Sequence, residues 1–153
     1  MSKQDLTFSF TVDQSPDEVF AAVNDVRGWW SADLTGDTDR LGAEFTFIYE
    51  DIHRSTQKVT EWVPGKRVVW RVTEGYLSFV EQKDEWKGTE VVFDISRKGG
   101  KTELRFTHVG LTPEVECIEA CTKGWSFYVL ESLQPLITTG QGQPARKQVK
   151  KTA

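Results

Sequence analysis

Apolar and polar residues alternate with a period of two through most of this chain, and the period becomes helical towards its end. Leu6, Phe8, Phe10 and Val12 fall on one side and Thr7, Ser9 and Thr11 on the other, which predicts a half-buried strand. Ser15-Pro16-Asp17-Glu18 is a capping box with proline at the first helical position, and Val19, Phe20 and Val23 give the short helix behind it an apolar face. Asn24-Asp25 breaks that helix, and Asp25 is placed to cap a second short one through Trp29-Trp30. Residues 31–42 are polar and contain glycine, so they predict a loop.

Alternation resumes at Ala43. Phe45, Phe47 and Tyr49 share one face, and Gln57–Val63 is a weaker strand ended by Pro64-Gly65. Arg67–Thr73 turns Val68, Trp70 and Val72 one way, and Thr89–Ser96 does the same with Val91, Phe93 and Ile95. Gly99-Gly100 marks a hairpin, after which Leu104, Phe106 and His108 share a face of Thr102–Val109. The segment from Glu74 to Gly88 carries Tyr76, Phe79 and Trp86 without a clean period and predicts a long loop.

The helical period occupies Thr112–Gly140, with Thr112 as N-cap and Pro113 at the first position. Val115, Ile118, Cys121, Trp125, Val129, Leu133 and Leu136 form one stripe about 100° apart per residue, with Cys117 and Tyr128 at its edge. Gly140 is a C-terminal stop. Pro135 should kink the last turn and free the Glu131 carbonyl, and Gly124 predicts a close approach of this helix to the sheet. The pattern is that of an α+β domain over residues 1–140: one strand, two short helices, about five more strands, then one long helix. The basic tail 141–153 carries no capping or periodic signal and is expected to be disordered.

Composition narrows the function. A net charge of −4 argues against general nucleic-acid or anionic-membrane binding, and no apolar run reaches 18 residues. The first ten residues lack a signal-peptide pattern, and the two cysteines, Cys117 and Cys121, lie four apart on one helix. Both features predict a reduced, cytoplasmic setting. No phosphate loop, dinucleotide fingerprint or zinc spacing is present, so neither cofactor nor metal is expected. Six tryptophans, nine phenylalanines and three tyrosines are a large aromatic volume to pack, and an incompletely filled aromatic pocket is one way to use it.

Two residues qualify as candidate acid–base groups. His108 alternates onto the face that meets the helix, where it is either a satisfied interior histidine or a polar anchor or base in a cavity. Glu61 is a buried acid if the Val59–Val63 face points inward and a surface charge if the Trp62 face does. Phe127 and Leu130 miss the helical stripe and could pack on a loop or form a self-association patch.

The same order of elements, with the stretches SPDEVFAAVNDVRGWW, EWVPGKRVVW, EWKGTEVVFDI, TELRFTHVGL and ECIEACTKGWSFYVLESLQPLITTG, resembles the small bacterial proteins of the Hsp90-ATPase-activator-homologue group, within the START/Bet v 1-like superfamily, over residues 5–144. The resemblance implies a helix-grip fold, in which a curved antiparallel sheet of about six strands wraps the long helix and leaves a cavity. The residues expected to line such a cavity are Trp29, Trp30, Phe47, Tyr49, Trp70, Phe79, Phe106, His108, Cys121, Trp125 and Tyr128. An apolar, aromatic or lipid-like small-molecule ligand is the expected partner. The alternatives are a hydrolase or cyclase using His108 with Glu61, and a co-chaperone or stress-response module that meets a chaperone or a second copy of itself. Eukaryotic activators of this kind carry an additional N-terminal domain for ATPase stimulation, which has no counterpart here.

Overall fold

The computed structural model describes residues 5–49, 52–78, 80–81, 83–113 and 115–145. Seven strands form one antiparallel sheet: β1 (Leu6–Val12), β2 (Thr35–Gly36), β3 (Glu44–Tyr49), β4 (His53–Val63), β5 (Arg67–Leu77), β6 (Glu90–Lys98) and β7 (Lys101–Val109). Their spatial order is β1-β7-β6-β5-β4-β3-β2, so every sequential hairpin from β2 onward is a neighbour pair and β1 closes onto β7. Helices α1 (Pro16–Asn24) and α2 (Val26–Trp29) follow β1. The C-terminal rod runs as α3 (Ile118–Tyr128), a π-helical stretch at Val129–Leu133, and α4 (Gln134–Thr139). This is the helix-grip arrangement, with seven strands rather than about six, because a two-residue strand forms inside the expected 31–42 loop.

Local chemistry explains most of the boundaries. The capping box forms as read: Ser15 Oγ accepts from the Glu18 amide at 3.2 Å, and Glu18 Oε1 accepts from the Ser15 amide at 2.9 Å. Asp25 makes no side-chain cap to α2, contrary to expectation. Two strands are longer than their apolar periods indicated. β4 begins at His53 rather than Gln57, and β5 runs to Leu77, well into the expected loop. Register shifts in β4 fall between Thr56 and Gln57 and between Val59 and Glu61. The second is a bulge that swaps the inward phase: Val59 is buried before it and Trp62 turns inward after it, packing edge-on to Phe20 at 5.1 Å.

The long helix departs from expectation at both ends. Thr112 does not cap it. The chain makes turns before it, with Val115 N–H bonded to Thr112 O and Ile118 N–H to Val115 O. Glu85, far away in sequence, supplies the cap instead, its carboxylate accepting from the Glu116 and Cys117 amides at 2.8 and 3.2 Å. Near the other end, Pro135 cannot donate to the carbonyl one turn back, and the π-helical stretch precedes it. The Glu131 carbonyl is met by Gln143 Nε2 at 2.9 Å. The extra residue of the π turn moves the buried stripe along by one, so Ile137 is buried rather than Leu136.

Residues 141–145 are ordered against the domain, correcting the expected start of the disordered tail; 146–153 lie outside the described residues. Ala145 forms a parallel bridge with Ser31, and its amide donates to Trp30 O at 2.8 Å. Gly142 lies so close to Gly28 and Ser132 that a Cβ there would meet Gly28 O at 2.4 Å. Ser132 joins the layers: its fully buried hydroxyl donates to Trp29 O at 2.7 Å and accepts from the Gln143 amide at 2.6 Å. Replacing Ser132 with alanine leaves both partners unsatisfied, so the expected loss is about 1–3 kcal/mol in urea unfolding. A loss under about 0.5 kcal/mol would show that the tail is not held there.

Candidate functional site

The face of α3 turned towards the open end of the sheet carries small residues, Ala120, Cys121 and Gly124. Opposite them stand Trp30, which caps α2, Phe47 from β3 and His53 from β4. Leu77 from β5, Trp86 from the following loop, and Trp125 and Tyr128 from α3 complete the lining. Between these elements lies a cavity of about 240 Å³, with Tyr49 and Ile52, both substantially exposed, at its rim. Gly124 corrects the close-approach expectation. A Cβ built on it meets nothing within 4 Å, because it would project into open space.

The aromatic walls are fixed by contact with one another. Trp30 stacks on Phe47 at 4.4 Å and 8° between planes, and its ring centroid is 5.0 Å from that of Trp125. Trp86 stacks on Trp125 at 5.7 Å and 13°. His53 stands edge-on to both Phe47 (4.9 Å) and Trp86 (4.5 Å). Its Nε2 is 3.0 Å from Ser55 Oγ, which in turn contacts Gln57 Nε2. His53, Ser55 and Gln57 therefore form a polar inward stripe on β4, a pattern that apolar periodicity does not reveal.

His108 stands outside this lining, fully buried beneath it. Its Nδ1 lies 3.0 Å from Trp125 Nε1, which can only donate, so Nδ1 is the bare acceptor. Its Nε2 lies 2.8 Å from Thr89 Oγ1, which donates onward to Trp86 O at 2.6 Å. The proton consequently sits on Nε2 and both ring nitrogens are committed. His108 is thus the satisfied interior histidine of the two alternatives, and its position corrects the general-base reading. The bonds it makes aim Trp125 directly, and Trp86 through Thr89.

The family model described as Activator of Hsp90 ATPase homolog 1-like protein (AHSA1) matches residues 13–138. The chain belongs to that family. A search of curated proteins finds no match. Among solved structures, this AHSA1-like chain is similar to an Aha1 dimer from Colwellia psychrerythraea, with 22% identity and a TM-score of 0.71 over 91% of this chain and 99% of that one. It is also similar to MLL2253 from Mesorhizobium loti, with 15% identity and a TM-score of 0.68 over 87% and 96%. DynU16, from the dynemicin biosynthetic locus, matches at 18% identity and a TM-score of 0.64 over 94% of this chain and 51% of its own. At these identities the likeness is one of fold.

Of the residues expected to line a cavity, the AHSA1-like fold brings Trp30, Phe47, Tyr49, Cys121, Trp125 and Tyr128 to it. Trp29, Trp70 and Phe106 are buried one layer behind: Trp70 is 5.7 Å from Trp30, and Phe106 is 4.7 Å from Trp125. Phe79 lies outside the described residues. Glu61 corrects the buried-acid alternative. The β4 bulge turns it outward, where its Oε1 accepts from Arg67 Nε at 2.9 Å, away from any histidine contact. Sequence reasoning missed Ile52, His53, Leu77, Trp86, Ala120 and Gly124. The one signal available for them was the small-residue spacing Ala120–Gly124 on the helix. Among the described residues no group of three or more His, Cys, Asp or Glu could hold a metal, and no helix is long and apolar enough to cross a membrane.

Burial pushes the His53 ring down from 6.5 to about 3, and burial together with the charge of His53 pushes His108 down to about 3. The unfolded chain takes up protons on both rings near pH 6.5, whereas the folded chain does so only near pH 3. Stability is therefore full above about pH 6.5 and falls as the pH drops between those values, by up to about 1.4 kcal/mol per pH unit for each histidine. Urea unfolding followed between pH 7 and 5 should show this fall, and a His53→Phe variant should lose about half of the histidine-dependent slope. A wild-type stability that is flat across that range would show that the rings titrate normally in the folded state.

Proposed function

We propose that this chain binds a small, flat, apolar molecule of one or two aromatic rings between α3 and the aromatic wall. The observation that carries this reading is Gly124. A glycine inside a helix costs about 1 kcal/mol relative to alanine, and here no neighbouring atom demands it. Its absent side chain maintains room in the cavity. The volume of about 240 Å³ lies below the range of roughly 300–1,000 Å³ usual for drug-sized ligands, which favours a compact ring system over a long lipid chain. Stacked indole and phenyl faces supply the apolar contact, and His53 offers one polar partner. Burial, with Tyr49 close by, raises the Tyr128 phenol, so it meets a ligand as a neutral hydroxyl.

Tryptophan fluorescence titrations with 1-naphthol, naphthalene and myristate test this. The two aromatic compounds should quench or shift the emission saturably and myristate should not. Gly124→Leu should weaken aromatic binding at least tenfold, about 1.4 kcal/mol, while the fold is retained. Unchanged affinity in that variant would place binding elsewhere.

A second reading, self-association, draws on the Colwellia psychrerythraea relative, which is a dimer. Ile48 and Tyr76 both lie opposite Arg54 in register, and so share a sheet face; their exposures of 51% and 42% leave apolar surface there. Sedimentation should then give a dimer mass that Ile48→Lys converts to a monomer. A wild-type monomer at 100 μM (about the scale of weak contacts) would dispose of it.

A further inference from the structure

The cavity contains one nucleophile, Cys121, and its surroundings are those of an activated rather than an inert thiol. Cys121 lines the cavity three residues before Gly124, where the side chain that would otherwise crowd an approaching ligand is missing. Trp86 Nε1 donates to Sγ across 3.4 Å. The Cys117 thiol, buried and one turn earlier, lowers the Cys121 thiol further. The Trp86 donor favours negative charge on Cys121, and the sulfur sits in the first turn of α3, at the positive end of a helical rod that runs to Thr139.

We infer that Cys121 captures an electrophilic ligand in this cavity, an aromatic α,β-unsaturated carbonyl compound, as a covalent thioether. The inference rests on the cavity being a ligand site. In the reaction a bond forms between Sγ and the β-carbon of the enone as the C=C π bond breaks. The electron pair moves to the carbonyl oxygen as an enolate, and a proton equivalent to that given up by the thiol returns from solvent to the α-carbon. The sum is addition of S–H across C=C, with no oxidant or further reactant. His53 and Cys121 both touch Trp86, the ring at 4.5 Å and the sulfur at 3.4 Å from Nε1, so the carbonyl end of a flat ligand has a polar partner within the same cavity.

The titratable groups around the sulfur act in both directions. The hydrogen bond with Cys117 lowers the Cys121 thiol most and that with Trp86 adds to it, against burial and the Glu85 carboxylate, which raise it. Cys117 is pushed up by the same hydrogen bond and by burial, so it remains the protonated donor. His53 is neutral.

N-phenylmaleimide is the probe, with N-phenylsuccinimide as its non-electrophilic twin, on the full chain at pH 6.5. Intact mass and peptide mapping should show a single adduct on Cys121, formed at least tenfold faster than on the thiols of the urea-unfolded chain. Cys121→Ser should abolish it. Cys117→Ala should retain it but slow it at least threefold and raise the pH of half-maximal rate; Trp86→Phe should do the same, and the Cys117 variant decides if Trp86→Phe does not fold. N-phenylsuccinimide should quench tryptophan emission and protect Cys121. Quenching without fast modification overturns the thiol assignment and leaves the binding site standing. Fast modification that the succinimide does not slow overturns capture inside the cavity. A first adduct on Cys117, or a rate equal to the unfolded thiols, overturns the proposal outright.

Discussion

The open end of this fold depends on one imidazole. His108, near the end of β7 on the sheet's inner face, accepts from Trp125 on the helix and donates to Thr89, whose hydroxyl grips the backbone carbonyl of Trp86. Three separate elements are thereby fixed in orientation by buried or partly buried hydrogen bonds, where a lost partner is costly. Stacking alone tolerates sliding of one indole over another. The imidazole removes that freedom, and the two tryptophans it aims form adjoining walls of the cavity.

The cavity exists because helix and sheet are mismatched in bulk at one end. Toward Leu133 and Ile137 the helix fills its side of the core with large apolar groups, and toward Ala120 and Gly124 it does not. The gap is not closed by collapse of flexible side chains, because the rings of Trp30, Phe47, Trp70 and Trp125 already brace one another. The aromatic richness of the chain thus does two jobs. One layer, with Trp29, Trp70 and Phe106, is foundation, and the layer above it is surface offered to the cavity.

The architecture was legible in the sequence because alternation, the capping box and the helical stripe are each enforced by burial or by backbone hydrogen bonding. What escaped was whatever breaks a period. The inward stripe of β4 at His53, Ser55 and Gln57 is polar, so an apolar count starts that strand four residues late and loses a cavity residue. The bulge before Glu61 lets both Val59 and Trp62 point inward, which no strict alternation allows. The π turn shifts burial from Leu136 to Ile137 for the same kind of reason. Gly124 was visible, but its meaning was not: close approach and empty space read identically in a sequence. Distant pairings, such as Glu85 capping the long helix, leave no local trace at all.

The strand-like clasp between Ala145 and the Ser31–Ala32 backbone also bears on biogenesis. It fastens the segment that carries Trp30 from behind, and its two halves lie more than a hundred residues apart in the chain. Synthesis proceeds from the N-terminus, so Trp30 leaves the ribosome long before the residues that secure it. The backbone that carries Trp30 therefore gains this fastening only once Ala145 has been made.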